Sequence, residues 1–356
     1  MARILLYGVG DLGEKAAYLL AAFLPPAHDL VIAGRDSRAV ADVAHMARMV
    51  TRARPAAPRI ESRTFPLHPD AVCGALAALK PDVFLFMATQ YSWWRVQELP
   101  AAARTALDGA GFAVWLPCQA ALPLSLLSVL TSLDSPPWLM LAPYPDAVAP
   151  MLARQGYDRV LGFGNVDELV MGFERPDTRP GDISLVAHHS VEAALFGGRP
   201  LPPYRLSVRS DHGSVAGELS RPFLWPSGTR SHMFTGASLV RTLTALLDED
   251  MHPVHIPGPR GLPGGYPCRA GRSEIEVCLP PDLSLAEAVA INEAAARADG
   301  IEAMDPDGTV HLTTRAREAL RAGLHLEVEN WSPPSMEAAA RMLLQRVNEM
   351  SEGERR

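Results

Sequence analysis

Short apolar blocks alternate with helix-patterned stretches through the first 145 residues. Residues 3–8, 29–34 and 83–88 are nearly continuous in apolar side chains, which suits strands buried on both faces. A weaker strand pattern lies at 59–66, and further strands are expected at 112–116 and 138–142. Between them, apolar residues at helical spacing predict helices over 13–23, 37–52, 70–80, about 99–109 and 121–133, with Ser37 placed to cap the second. Strand–helix alternation of this kind predicts a doubly wound parallel sheet.

The texture changes after Pro150. A strand is expected at 159–163, then short segments rich in Arg, Pro, Gly and Ser from 173 to 235. Further on, the pattern predicts a helix at 236–248, a Pro/Gly-dense loop at 253–267, a strand at 273–278 and a helix at 284–298. Ser284 followed by Glu287 forms a capping box for that helix. A strand at 324–328 and a helix at 335–349 close the chain. The expected organisation is an α/β domain over 1–150 and an α+β domain over 151–356, with the boundary between 143 and 165.

Composition sharpens this reading. The 356 residues are 48% hydrophobic and 21% charged, values of an ordinary globular chain, and the net charge is −7. No basic block is present, so nucleic acid is not an expected partner. Residues 111–133 carry no charge and have the length of a membrane span, but Pro117, Pro123, Gln119 and four hydroxyl residues favour a buried core segment. No membrane partner is expected. The four cysteines form no CxxC pair and no secretory signal is visible, which fits a cytoplasmic chain with reduced thiols. Lys15 and Lys80 are the only lysines, so lysine chemistry has two candidates.

Gly8-Val9-Gly10-Asp11-Leu12-Gly13 matches GxGxxG, with a strand before it, a helix after it and a second strand ending about 20 residues on. Gly8 permits the tight turn, Gly10 lets a pyrophosphate approach the backbone, and Gly13 lets helix and strand pack closely. Asp11 and Leu12 bring the N–H groups of the helix start. A site for NAD would end the second strand on Asp or Glu; here Gly34-Arg35-Asp36-Ser37 stands there. Glycine leaves room for a 2′-phosphate, Arg35 can grip it and Ser37 can add a hydrogen bond, so the expected cofactor is NADP(H). Ala88 and Thr89, at the end of the strand 83–88, should flank it. Gln90, Tyr91 and Trp93 follow, placed to line a substrate pocket.

From about residue 140 the chain resembles the lactate/malate dehydrogenase-like superfamily in order of motifs. Ala142-Pro143-Tyr144-Pro145-Asp146 resembles its Asn-Pro-x-Asp segment, and Gly156-Tyr157 followed by Arg159 to Asp167 resembles its Gly-rich strand leading to a catalytic acid. His188 and His189 fall where it places a catalytic histidine, and Gly261 to Pro267 with Glu274 to Val277 is similar to its closing hairpin. The glycine-turn half also resembles saccharopine and opine dehydrogenases. The resemblance implies an N-terminal Rossmann domain, a dehydrogenase or reductase activity and a homodimer. It implies Asp167 as the acid orienting a proton-transferring histidine, with Asn165 near the substrate. In a strand the adjacent His188 and His189 would point to opposite faces, so only one can face the cofactor; either could, and His189 is favoured. The family's carboxylate-binding arginine is replaced by Val170, which argues against a simple 2-oxo acid.

The residues thus point to an NADP(H)-dependent oxidoreductase acting on a carbonyl or imine of a small polar metabolite. Two alternatives share the architecture: an NAD- and metal-dependent glycosidase-like enzyme, and a non-catalytic NADPH-binding sensor. Asp211-His212 and His232 could reach the pocket or cap loops, the capping role being the favoured one; His252 and His255 flank Pro253 in a loop and could bind metal only with ligands from elsewhere, so no metal site is expected.

Overall fold

The computed structural model describes residues 1–173, 178–179, 181–210, 213–219, 228–271 and 273–353. His212 lies outside them.

The first half runs β1 (Arg3–Tyr7), α1 (Asp11–Phe23), β2 (Asp29–Gly34), α2 (Ser37–Thr51), β3 (Arg59–Thr64), α3 (Pro69–Leu79), β4 (Val83–Phe86), α4 (Ala101–Leu107), α5 (Leu116–Ser125), α6 (Leu127–Ser132), β5 (Trp138–Leu141), α7 (Pro145–Arg154) and β6 (Val160–Gly162). The rest runs α8 (Asn165–Phe173), β7 (Ile183–Val186), α9 (His189–Gly197), β8 (Arg205–Ser210), β9 (Gly213–Gly217), α10 (His232–Leu247), β10 (His252–Pro257), β11 (Gly265–Gly271) and β12 (Glu274–Val277). It closes with α11 (Leu285–Ala296), β13 (Ile301–Met304), β14 (Val310–Leu312), α12 (Thr314–Leu324), β15 (Asn330–Trp331) and α13 (Met336–Gly353).

The six N-terminal strands form one parallel sheet in the order β3-β2-β1-β4-β5-β6, the doubly wound arrangement expected from the sequence. Three antiparallel three-stranded sheets follow, so the α+β character of the second half is also observed. The switch point of the parallel sheet lies between β1 and β4, at whose carboxyl ends sit Gly8 and Ala88.

Alternation along β1 sends Ile4 and Leu6 to one face and Leu5 and Tyr7 to the other. On the first face α1 and α2 pack, joined by α10, β10 and β11. On the second, α3 to α7 pack together with α12 and α13. C-terminal helices therefore share the hydrophobic core of the N-terminal sheet, and β6 completes that sheet beyond residue 150. A cut at 150 would split both.

The uncharged stretch from Phe112 to Ser132 is mostly buried, with α5 packed against α13. The strand expected at 112–116 is instead a short 3-10 turn, Phe112–Trp115, running into α5. Pro117, in the first turn of α5, has the backbone angle a helix start wants and no N–H to lose. Residues 324–328 form no strand either: α12 ends at Leu324 and His325 caps it in the left-handed conformation. The alternation of Leu324, Leu326 and Val328 instead inserts the chain into the core. The loop expected at 253–267 contains β10 and the start of β11. Pro253 and Pro257 are tolerated because β10 is an edge strand, and Pro267 precedes the part of β11 that pairs with β12. Ser37 is the first residue of α2 rather than its cap. Asp36 caps it, accepting from the N–H groups of Arg38 and Ala39 at 2.9 Å. The capping box of α11 is formed as expected.

Candidate active site

The glycine turn divides its tasks as its spacing predicts. Gly8 has φ of +109°, and a Cβ there would press on the Met87–Ala88 backbone. A Cβ on Gly13 would lie 1.8 Å from the Gly8 carbonyl oxygen. Gly10 differs: it has an ordinary extended backbone (φ −71°) and, among the described residues, nothing within 4 Å of a Cβ position. No atom of the described residues calls for glycine there. The bare backbone leaves open space before the first N–H groups of α1, which no side chain of Gly10 caps. That is the space a diphosphate needs. Asp11, Leu12, Gly13, Thr89, Trp93 and His232 line this small cavity of about 120 Å³. Arg35 and Ser37 are exposed at the rim of β2, and Gly34 is packed beneath Val40 and Val9.

The histidines belong to a second cluster. They stand at the start of α9 rather than in a strand: His188 is the N-cap, its Nδ1 accepting from the Ser190 N–H at 3.2 Å. His188 is buried and borders a separate cavity of about 210 Å³ with Asp146 and Arg154. His189 turns the other way, with about a quarter of its side chain exposed, onto a cleft of about 610 Å³. Its Nδ1–H donates to Asp299 Oδ2 at 2.7 Å.

The carboxylate bonded to His189 is Asp299, not Asp167. Asp167 is fully buried and faces Arg241 at 3.7 Å, while the carboxylates acting on His189 are Asp299, Asp146 and Glu192. Asp299 also accepts from the Tyr144 hydroxyl at 2.6 Å and the Phe112 N–H at 2.9 Å. Burial alone would raise the Asp299 carboxyl. The charge and hydrogen bond of His189, then His188 and Tyr144, outweigh it and hold the group well below the usual carboxylate range. Burial likewise opposes a charge on His189, but Asp299, Asp146 and Glu192 overcome it and lift its pKa to about 9.

Two glycines bring Asp299 here. Gly300 (φ +92°) turns the chain after it, and Gly111 (φ +85°) lets the 110–112 turn lie against its backbone, where a Cβ would be 2.0 Å from the Asp299 carbonyl carbon. Tyr144 and Asn165, at the carboxyl ends of β5 and β6, hold left-handed backbone conformations rare for side chains of their size. Asn165 donates from Nδ2 to the Asp146 carboxylate, which in turn accepts from the His189 N–H at 2.9 Å. Asn165 thus supports His189 from behind.

The residues after β4 divide. Trp93 is 44% exposed and borders both the glycine-turn cavity and the His189 cleft. Tyr91 is buried, stacked on Trp115 with ring centroids 5.1 Å apart, and donates its hydroxyl to the Arg95 carbonyl; it is a core residue rather than a pocket wall. Gln90 is tied through its N–H to the Cys118 carbonyl, with its buried Oε1 unpartnered. His255 is structural: its Nε2 accepts from the Leu185 N–H at 3.1 Å, and burial lowers its pKa to about 3. His252 pairs with Asp248 at 3.4 Å. Asp299 is not marked by the sequence, and Tyr144 and Asp146 are marked only as part of the segment 142–146 that resembles the family's Asn-Pro-x-Asp. The Asp299-Gly300 turn and the Pro143-Tyr144-Pro145-Asp146 strand end were the available signals.

No protein-family model and no curated protein matches the chain. Among solved structures it is similar to a lactate dehydrogenase from a Medee basin deep-sea metagenome library (12% identity, TM-score 0.47, covering 83% of this chain and 96% of that one). It is also similar to malate dehydrogenase from Plasmodium falciparum (10%, 0.47, 91% and 100%). A third is malate dehydrogenase from Salinibacter ruber (13%, 0.45, 83% and 95%).

Proposed function

We propose that this chain is an NADP(H)-dependent oxidoreductase that moves a hydride to or from the carbonyl or imine carbon of a small polar metabolite, with His189 as proton donor and acceptor. The observation that carries the reading is the position of Trp93, which borders both the open glycine turn and the cleft floored by the His189–Asp299 pair.

A nicotinamide dinucleotide supplies or accepts the hydride when bound. Gly8, Gly10 and Gly13 would hold its diphosphate at the start of α1, flanked by Ala88 and Thr89, and Arg35 with Ser37 would hold a 2′-phosphate. His189 keeps its charge because Asp299 fixes Nδ1–H and compensates the imidazolium. Its Nε2, which has no hydrogen-bond partner among the described residues, gives a proton to the substrate heteroatom in reduction and takes one in oxidation. Tyr144 and Phe112 hold Asp299 in place and shield it from water. Arg104 and Arg199 also line the cleft and favour a substrate with acidic or polar groups.

Titration of the protein with NADPH and NADH, followed by fluorescence, tests the cofactor half. NADPH should bind more tightly, and Arg35→Ala should lower its affinity by about ten- to a hundredfold while leaving NADH unchanged. Equal binding would overturn the 2′-phosphate assignment, and binding of neither would overturn the reading as a whole. NADH preference with metal-dependent turnover would favour the glycosidase-like alternative. Tight NADPH binding with no turnover of carbonyl or imine substrates would favour a sensor.

A further inference from the structure

One imidazole reaches from the second half of the chain to the glycine turn. His232, the first residue of α10, is 8% exposed. Its Nδ1–H donates to Asp11 Oδ2 at 2.5 Å. Its Nε2 accepts from the Trp93 indole N–H at 3.1 Å, with the rings edge to face and 6.0 Å apart. Lys15 bonds the same Asp11 carboxylate and donates to the Thr229 carbonyl at 2.8 Å, so residues 229–232 straddle the start of α1.

The partners fix the proton positions. A carboxylate only accepts and an indole N–H only donates. A ring that serves both therefore carries its hydrogen on Nδ1 and is neutral. A second proton would have to sit on Nε2, where it would oppose the indole hydrogen, so the Trp93 bond cannot survive it. The Asp11 bond would survive and gain charge assistance. Among the described residues the charged groups acting on His232 are Asp11 and Lys15, both from α1. The segment after β4 brings only the neutral indole.

We propose that neutral His232 is a positioning residue that fastens Trp93 beside the glycine turn, and that protonation of this imidazole frees the indole from the border between turn and cleft. Burial lowers the His232 pKa, with Asp11 opposing and Lys15 assisting, so the release lies on the acid side of histidine's ordinary range.

The test needs no ligand, so its failure is separate from failure of the proposed function. Trp93 is one of six tryptophans, and its emission is isolated by subtracting the spectrum of Trp93→Phe from that of the wild type. Followed from about pH 8 to about pH 5, with circular dichroism to confirm folding, this difference should shift to longer wavelength in one transition. Gln offers both an NH2 donor group and a carbonyl acceptor, and does not titrate in this range. His232→Gln should therefore keep the neutral-limb emission throughout, whereas His232→Phe should show the acid-limb emission throughout. A transition that persists in His232→Gln, a wild-type difference that does not change with pH, or a His232→Phe emission equal to the neutral limb would each overturn the assignment. If His232→Phe does not fold, wild type against His232→Gln still decides it.

Discussion

The glycine-turn cavity and the cleft of the His189–Asp299 pair share Trp93 as a wall but are built in opposite ways. Six consecutive residues make the turn, and each glycine's task follows from strand, turn and helix alone. The acid–base pair needs α9, the turn after α11, the 110–112 turn and the end of β5, with Asp299 lying 110 residues from His189 and 155 from Tyr144. A local device is visible in a local pattern. A device assembled by packing is visible only once the core that assembles it is known. The resemblance points to Asp167 as partner of the histidine, whereas the carboxylate bonded to His189 in the structure is Asp299, which arrives from a different segment.

The sharpest way to break this contrast is to remove the assembled half. His189→Ala and Asp299→Asn should each lower kcat by roughly 10²- to 10⁴-fold, the usual contribution of a positioned acid–base group. Dinucleotide affinity should stay near wild type, since neither residue touches the glycine turn. Asp167→Asn should alter stability but leave the turnover of folded protein within a few-fold. A collapse of kcat in the Asp167 variant with the Asp299 variant still active would restore the acid that the family pattern suggests.

The two unlike glycines give the next largest effect. Gly13→Ala places a methyl group 1.8 Å from the Gly8 carbonyl oxygen, and relieving that clash should cost about 3 kcal/mol or more of stability. Gly10→Ala meets nothing and keeps an ordinary backbone angle, so it should melt like wild type and yet lose dinucleotide affinity. Thermal denaturation beside fluorescence titration separates the two. If Gly10→Ala binds NADPH unchanged, the open space at that position does not serve a diphosphate.

Legibility followed the same division between local and assembled. The sheet and its helices were readable because parallel strands buried on both faces are continuous apolar runs, and the limits of β2 coincide with the run at 29–34. The segment 112–116 misled because an apolar run in the core has no period to betray it as helix, and only Pro117 marked a helix start. Residues 324–328 misled through true alternation, which here serves burial of Leu326 rather than pairing. Its place after β4 marks Trp93, which lines both cavities, but Tyr91, two residues away and marked in the same way, turns into the core. Spacing along an irregular segment does not say which side chains face in.

The charge state of the pair predicts a pH profile. His189 is raised to about 9 and Asp299 is held low. Reduction, which draws on the imidazolium proton, should run at a plateau through neutral pH and fall about tenfold per unit above pH 9. Oxidation should rise over the same range. The sign for stability follows from the same shifts. The raised histidine contributes stabilisation that is full below its unfolded value near 6.5 and is lost as pH rises through about 9. The lowered aspartate contributes stabilisation that is present above about 3.9 and is lost as pH falls through its folded value. Asp299→Asn should move the alkaline limb of the reduction profile down toward the ordinary histidine range. A limb that stays near 9 would assign the titration to another group.

The smallest effect bears on the turn's specificity. Asp36 stands next to Arg35, where an acid could be read as a ribose ligand and hence as a sign of NAD. Its carboxylate oxygen is instead committed to the N–H groups of Arg38 and Ala39 at the start of α2. A side chain that satisfies two helix donors is held along the helix axis and leaves the end of β2 to Arg35. Asp36→Ala should therefore cost about 1 kcal/mol through the lost cap, read as a lower melting temperature. Ser37→Ala, at the first helical position, should cost less. The ratio of NADPH to NADH affinity should change little in Asp36→Ala, because the acid is engaged with the backbone. A large rise in that ratio would mean that Asp36 repels the 2′-phosphate in the wild type, and the rim of β2 would then be a compromise between the two dinucleotides rather than a site shaped for one.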